Sequence, residues 1–502
     1  MSLLGVEIGV TQCTAAVFDY AGKLLCQHTL SYSIDQSADG AMELNADHVM
    51  SCVQTAINNV SKSLGRKNNG IRAIGISVQG ESICPVDTNG RPLGPVMTTY
   101  DHRTIPQFGY ITKTLGAERL QHITGLAPLP SYSLAKILWW AVHRPDVMEK
   151  TAHFFDLGSL LLQRFGLKPV MDYSIAGRTM LMDIEKKQWS TEILTAVGIP
   201  RNVLPSLAEA GTVLGTISGR AARQFGLPRN TYVVLGGHDQ ACAAFGCGVI
   251  ENESAMDATG ATECVAAVTS SPVIGPQMLM GGYGCYPHVV PGRYLILAYN
   301  FSAGSLFRWF REILGGIEEE ESRGSGLSFS EVLLGKASSG PSSVLVLPHF
   351  ARAGTPWHDD SAHGAIIGLS LATSRAEFIK GFFDGLGYEM RMNFDLLADA
   401  GVPVSMVHVI GGGANSPRWL QLKADIYRRE VKGITLDVAS AFGAALLAGI
   451  GVGVWQNAHE AVQAVVPTPT YIASPFQHDA EQYQQYYERY RRMYPAVKAM
   501  EQ

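Results

Sequence analysis

In the stretch Val233-Val234-Leu235-Gly236-Gly237-His238-Asp239-Gln240-Ala241-Cys242-Ala243, an apolar strand breaks on two glycines and delivers a carboxylate where an Ala-rich helix begins. An Asp on such a corner is held by two rigid elements yet reachable from a cleft, and the glycines let a ligand approach the backbone. A helix N-terminus keeps the carboxylate ionised, as a base must be to accept a hydroxyl proton. A plain helix cap also explains an Asp there. Asp239 is the candidate catalytic base.

Two strand-turn-strand segments flank this carboxylate, residues 4–19 and 255–268. The turn Glu7-Ile8-Gly9-Val10-Thr11 offers backbone N–H groups, a hydroxyl and a carboxylate in one bend, which is what a nucleotide phosphate with a metal requires. A single copy is explained as well by an ordinary hairpin whose glycine relieves strain. The second bend, Thr259-Gly260-Ala261-Thr262, tips the balance, because two such turns facing each other hold a triphosphate between two domains. Phosphoryl transfer asks for positioning more than covalent chemistry, so one base, one metal and two phosphate cradles suffice. Gln79, Glu81, Asp101, Arg103 and Tyr173 fall at predicted strand ends or in loops and suit a polyhydroxylated ligand. Gly411-Gly412-Gly413-Ala414-Asn415 could pass beneath an adenosine, though a strand-to-helix turn explains it nearly as well. His238, His349, His358 and His363 have no zinc spacing, and no structural metal is assigned.

The elements that position these groups read from pattern. At 502 residues the chain exceeds what one core supports, and two domains of roughly 250 residues are expected. The first hairpin continues into a third strand after Tyr20-Ala21-Gly22, and Asn45-Ala46-Asp47-His48 supplies cap candidates for a helix carrying Val49, Val53, Ala56, Ile57 and Val60. A strand at 71–77 delivers Gln79-Gly80-Glu81 at its end, where ligands bind in open α/β sheets. Residues 172–179 read as a loop, and the first domain closes near residue 247. The second half repeats hairpin, helices, strand and glycine turn, which points to duplication. Ser374-Arg375-Ala376-Glu377 is a capping box, 433–436 is short and β-like, and 439–448 is a small-residue helix able to pack very close to a neighbour.

A net charge of −5 without a dense Lys/Arg run argues against nucleic acid or an anionic membrane as partner. Eight cysteines without a CxxC pair fit a reducing compartment. No stretch reaches the roughly 20 apolar residues of a membrane span, and Met1-Ser2-Leu3 enters the first strand with no leader pattern. A cytoplasmic protein acting on a small molecule is expected.

The order of these pieces resembles the FGGY family of carbohydrate kinases over nearly the whole chain. Glu7 to Thr11 with Phe18-Asp19 is similar to its D-x-G-T-T/S hairpin, Gln79-Gly80-Glu81 to its sugar-contact turn, and Asp101-His102-Arg103-Thr104 to its D-R-R-T stretch. Lys136-Ile137-Leu138-Trp139 matches its K-x-x-W segment and residues 172–179 its D-x-S-x-A-S-R-T loop. Gly236 to Gln240 resembles the G-G-x-D-Q block that carries the family's base. Thr259 to Thr262 stands for the second phosphate loop, Ser302-Ala303-Gly304 with Trp309 for the glycine-led helix beside the nucleotide, Gly411 to Trp419 for the adenosine loop, and Ala439 to Ala445 for the A-x-x-G-A-A helix.

The resemblance implies an α/β protein of two ribonuclease H-like domains of the actin and Hsp70 ATPase type, 1–247 and 248–502, with a ligand cleft between them. It implies ATP and Mg2+, with Glu7 and Asp239 at the metal and Gly9, Thr11, Gly260, Ala261, Thr262, Gly304, Gly412, Gly413 and Asn415 at the nucleotide. Gln79, Glu81, Asp101, Tyr173, Asp239 and Gln240 would bind the substrate. The expected activity is ATP-dependent phosphorylation of a terminal hydroxyl of a small ketose or polyol, and a homodimer is left open. Glu7 departs from the family's Asp, Thr14 stands where a Lys or Arg often lies, Ala261 replaces a hydroxyl residue, and Arg352-Ala353-Gly354-Thr355-Pro356 replaces G-E-R-T-P. These departures leave a weakened sugar-binding or regulatory protein as one rival. A chaperone-like or cytoskeletal ATPase is a second, opposed by the polar turn at 79–81.

Overall fold

The computed structural model describes residues 1–65 and 70–501. Its first large sheet is made of β1 (Ser2–Ile8), β2 (Gln12–Asp19), β3 (Leu24–Ser31), β4 (Ile71–Val78), β5 (Val213–Thr216) and β6 (Tyr232–His238). The second is made of β7 (Ser254–Thr259), β8 (Glu263–Thr269), β9 (Gly284–Pro287), β10 (Tyr294–Asn300), β11 (Met406–Gly411), β12 (Glu430–Gly433) and β13 (Tyr471–Ala473). The first runs β3-β2-β1-β4-β6-β5 and the second β10-β8-β7-β11-β12-β13, with β9 added outside β10. In both, an antiparallel meander of three strands is followed by two parallel strands and an antiparallel edge strand. Matching order and direction across five strands make the two halves copies of one ribonuclease H-like topology, as the resemblance implied; the antiparallel edge strand comes before its neighbour in the chain in the first half (β5, then β6) and after it in the second (β12, then β13).

The parallel strands β1, β4 and β6 are buried on both faces and read as near-continuous apolar runs, as crossover sheets require. Between Val234 and Gly237 the register of β6 against β4 slips by one residue. Gly236 lies in this bulge, where an added Cβ would stand 1.8 Å from the Ile76 carbonyl oxygen. A bulge bends its strand and re-aims the side chains just beyond it, here those of His238, which ends β6, and of Asp239, which starts the next helix.

The chain division and the packing division differ. The Ala439–Gly451 helix belongs by sequence to the second half, yet it packs on β1, β4 and β6 and on the Asp239–Gly246 helix. Its residues join the first hydrophobic core, whereas the Arg375–Asp399 helix, headed by the capping box at Ser374, lies in the second.

Two local expectations are corrected. Residues 172–179 are not all loop. Asp172 accepts hydrogen bonds from the backbone N–H groups of Ser174 (2.7 Å) and Ile175 (3.1 Å) and so starts a helical turn, Tyr173–Gly177. The strand assigned to 433–436 lies earlier, at Glu430–Gly433, because pairing with β11 ends at Gly433 and Ile434 to Leu436 leave the sheet. Among the described residues no helix is long and apolar enough to cross a membrane.

Candidate functional site

Asp239 is the first residue of the Asp239–Gly246 helix, at the end of the bulged β6. It opens into a cavity of about 300 Å³ walled by residues of both halves, among them Gln79, Glu81, Tyr132, Thr262, Tyr299 and Arg352. The Gln240 backbone N–H donates to Asp239 Oδ1 at 2.6 Å, and the His238 ring nitrogen Nε2 lies 3.3 Å from the same oxygen. Burial, then the charges of Glu7 and Glu81, push the Asp239 carboxyl up to about 7, with Arg178 opposing. Burial likewise raises Glu7, and the Ser440 hydroxyl of the Ala439–Gly451 helix partly offsets it. The charges of Glu7 and Asp239 act on one another, so the two carboxyl groups are costly to ionise together.

The turn after β4 is braced from three sides. Gln79 donates from its backbone N–H to the Ile8 carbonyl (2.9 Å) and from Nε2 to the Gly9 carbonyl (3.2 Å), which ties it to the first hairpin, and its Oε1 has no partner among the described residues. Glu81 holds φ at 58°, a left-handed conformation that non-glycine residues adopt at a cost. Its carboxylate accepts from Arg178 Nε at 2.5 Å, and its carbonyl accepts from Lys136 Nζ at 2.8 Å and the Ser133 hydroxyl at 3.0 Å. Burial acts against its charge, but Arg178, His238 and Lys136 together hold the Glu81 carboxyl below its usual range. Lys136 is fully buried, and burial pulls it down to about 8.

The second hairpin turn meets a helix. The backbone N–H groups of Ala303, Gly304 and Ser305, at the start of the Gly304–Ile313 helix, donate to the carbonyls of Gly260 and Ala261. A Cβ on Gly304 would stand 2.6 Å from the Gly260 oxygen. Ser305 Oγ donates to the Ala261 carbonyl at 2.9 Å, so a hydroxyl lies beside the position where the sequence lacks one. On the far side of β7, Gly411 takes φ 85° and a Cβ on it would meet the Thr259 carbonyl at 2.3 Å, whereas a Cβ on Gly412 would meet nothing within 4 Å. Gly412 therefore has room on its open face for a ligand. Gly413 and Asn415 follow on the same turn, and the Thr435 hydroxyl donates to the Asn415 side chain.

Of the residues singled out from sequence, Gln79, Glu81, Asp101, Asp239, Gln240 and Thr262 share the one cavity. Glu7, Gly9 and Thr11 sit on the hairpin beneath it, with Thr11 exposed. Two of the expected substrate contacts are held by other partners. Asp101 lines the cavity, but its side chain has no exposure, because Arg103 Nε (3.1 Å) and Nη2 (2.7 Å) and the Met42 N–H (3.2 Å) occupy its oxygens. Tyr173 is absent from the cavity wall, since the turn started by Asp172 carries its ring to Lys187, whose Nζ lies 5.4 Å from the ring centre. Tyr132, Arg178, Tyr286, Tyr299, Phe301 and Arg352 gave no signal of their own as site residues. Arg178 and Arg352 stood within quoted motifs, and the others arrive from elements distant in sequence.

Two family models cover most of the chain. One described as the FGGY family of carbohydrate kinases, N-terminal domain, matches residues 2–246, and its C-terminal counterpart matches residues 256–452. The chain is 27% identical over 495 residues to a xylulose kinase of Lactococcus lactis, covering 98% of this chain and 96% of that protein. It is 28% identical over 475 residues to a glycerol kinase of Enterococcus faecalis, covering 91% and 90%. The solved structure of a gluconate kinase from Lactobacillus acidophilus superposes with a TM-score of 0.89 at 20% identity, over 99% and 98% of the two chains.

Proposed function

The chain belongs to the FGGY family of carbohydrate kinases, and from that premise we propose that Asp239 is the general base with which this ATP-dependent sugar or polyol kinase phosphorylates a terminal hydroxyl of its substrate. The observation that carries this reading is the position of Asp239: it ends a bulged strand, between two glycine turns of matching topology, in a cavity walled by both halves. The substrate hydroxyl gives its proton to Asp239 as the γ-phosphoryl group is transferred in line. Gln79, Glu81 and Gln240 hold the remaining hydroxyls, aided by Tyr132 and Arg178. Thr11 and the turn at 260–262 cradle the phosphates, with Gly9 and Gly304 keeping the backbone close, and Gly412, Gly413 and Asn415 lie under the adenosine.

Glu7 and Asp239 fit a divalent cation. Both are acidic and held above their usual range by burial, and the Glu7 charge raises Asp239 further. Among the described residues no group of three or more His, Cys, Asp or Glu side chains is placed to hold a metal ion, so this pair needs phosphate oxygens and water to complete a shell, as magnesium usually does. When bound, Mg2+ neutralises charge on the transferred phosphate. The domains are proposed to be 1–247 and 248–502, with the Ala439–Gly451 helix crossing back onto the first.

The relatives' names span a ketose, a polyol and a sugar acid, so family alone leaves the acceptor open. Coupled ADP production across a panel of ketoses and polyols of about three to seven carbons tests the activity. Sugar-stimulated ADP release is expected with at least one of them, and ATP hydrolysis indifferent to every sugar would contradict the reading.

A further inference from the structure

We propose that the C-terminal helix Met493–Glu501 positions the second-half wall of the acceptor cavity: it grips Trp357, Asp359, Ser361 and His363, so that the residues between them, His358 and Asp360, are presented to the acceptor together with Arg352. The inference rests on the reading of this cavity as the acceptor site.

One short segment serves two neighbours. His358 and Asp360 line the cavity that holds Asp239, beside Arg352, Tyr299 and Phe301. The residues that alternate with them meet the helix instead. Trp357 stacks on Tyr494 with ring centres 4.3 Å apart. The Tyr494 hydroxyl donates to Asp359 Oδ2 at 2.7 Å, and Lys498 Nζ forms an ion pair with the same oxygen at 2.6 Å while donating to Ser361 Oγ at 2.9 Å. His363 Nδ1 lies 2.9 Å from Glu501 Oε1.

Asp359 is where these contacts converge. Its Oδ1 accepts from the N–H (2.9 Å) and the hydroxyl (2.7 Å) of Ser361, and its Oδ2 serves Tyr494 and Lys498, so all four lone-pair sites of the carboxylate are used. Burial acts against its charge, but Lys498, Tyr494 and Ser361 together hold the carboxyl below its usual range. The next residue toward the N-terminus shows what this fixes. His358 holds φ at 46°, a left-handed conformation that a non-glycine residue keeps only where its surroundings over-determine it. The stacked ring on one side and the saturated carboxylate on the other supply that constraint. With it, His358 Nδ1 stands 3.2 Å from the Tyr299 hydroxyl on the cavity wall. Arg352 Nη1 donates to Asp360 Oδ1 at 2.9 Å, and its guanidinium lies 3.8 Å from the centre of the Phe301 ring. The departure from G-E-R-T-P at this position thus puts a cation in the wall.

The helix has its own seat, away from the cavity. Tyr490, just before it, and Met493 belong to the second core, and the Tyr490 hydroxyl donates to buried Glu389, whose other oxygen lies 3.0 Å from His349 Nε2. Among the described residues of the cavity wall none comes from this helix, which lies beyond residue 452, where the match to the C-terminal family model ends. Loosening the grip should therefore disturb the acceptor and not the nucleotide.

The test measures kcat and KM for ATP and for the best acceptor from the panel in Tyr494→Phe, Lys498→Met, the two combined, Asp359→Ala, Lys498→Arg and Arg352→Ala. The combined variant and Asp359→Ala should each lose roughly ten- to a hundredfold in kcat/KM for the acceptor, mainly through KM, with KM for ATP unchanged. Lys498→Arg, which keeps the charge at Asp359, should stay close to the wild type. Adding the combined change to Asp359→Ala should lower the value no further, because all three side chains act through one carboxylate. If Asp359→Ala does not fold, the combined variant, which keeps the Tyr494 ring on Trp357, carries the test. Equal losses for ATP and acceptor would make the helix a general support and overturn the proposal, as would a wild-type acceptor KM in the combined variant. Arg352→Ala separates the two readings: an unchanged acceptor KM there sinks the assignment of the cavity to the acceptor, whereas a raised KM there beside wild-type constants in the combined variant sinks only the role of the helix.

Discussion

The carbonyl oxygen of Ala441 lies 1.8 Å from the point where a side-chain carbon on Gly5 would begin, so a strand of the first half and a helix of the second meet backbone to backbone. Gly75 stands in the same relation to Ala444, at 1.9 Å, and Gly443 to the Cys242 carbonyl, also at 1.9 Å. The Ser440 hydroxyl that reaches Glu7 is carried by this helix, so its close seat also governs one of the two acidic groups of the cleft. Gly5→Ala forces backbone to move, which costs more than the ~1–3 kcal/mol of ordinary overpacking. A urea unfolding midpoint lowered accordingly, with the cleft acids disturbed in parallel, is expected. An unchanged midpoint would mean that the helix is not seated as described.

Asp239→Asn separates function from stability. As the general base, Asp239 is worth roughly 10²–10⁴ in rate, so phosphoryl transfer should fall by that factor while nucleotide binding survives. The same substitution should raise thermal stability at pH 8. The Asp239 carboxyl titrates at about 7 in the fold because of burial and then Glu7, well above its value in an unfolded chain. Raising the pH through that interval ionises the unfolded chain first and weakens the fold. A neutral amide escapes this, and a melt at pH 8 compared with one at pH 5 measures it.

Both hairpins, the corner at Asp239 and the close-packing helix were legible because each rests on local chemistry: alternation, glycine, caps and small residues. The repeated order of the second half was legible for the same reason. The features that escaped depend on which side chains meet in the fold. Arg103 takes up the Asp101 carboxylate, Asp172 winds Tyr173 away from the cavity, Tyr299 reaches the cavity wall from β10, and Tyr286 reaches the His238 ring from β9. The return of the Ala439–Gly451 helix to the first core also could not be read, since small residues announce a close neighbour without naming it.

The pH–rate profile should carry a metal signature. A base at about 7 requires kcat/KM for the acceptor to fall about tenfold per pH unit below that value at low Mg2+. A divalent cation between Glu7 and Asp239 favours the ionised pair, so the acidic limb moves to lower pH as Mg2+ rises. Rescue by Mg2+ should therefore be larger at pH 6 than at pH 8. Profiles at two Mg2+ concentrations decide it, and a limb that stays fixed excludes Glu7 and Asp239 as the cation's partners.

The buried pair Glu81 and Arg178 makes the last expectation one of non-additivity. Their side chains are 6% and 12% exposed, and Lys136 supplies a second cation at the Glu81 carbonyl. Glu81→Gln keeps the shape but leaves Arg178 buried without its counter-charge, a change of about 3–5 kcal/mol. Arg178→Met also leaves a carboxylate stranded, though Lys136 and the accessible cavity soften that loss. Removing both charges removes the conflict, so the double variant should be more stable than Glu81→Gln alone, with a coupling of about 1–3 kcal/mol. Both variants lose acceptor binding, because the fork that orients Glu81 is gone in each. Urea unfolding of the four proteins measures the coupling; strictly additive losses would show that the two side chains do not hold each other in the folded protein.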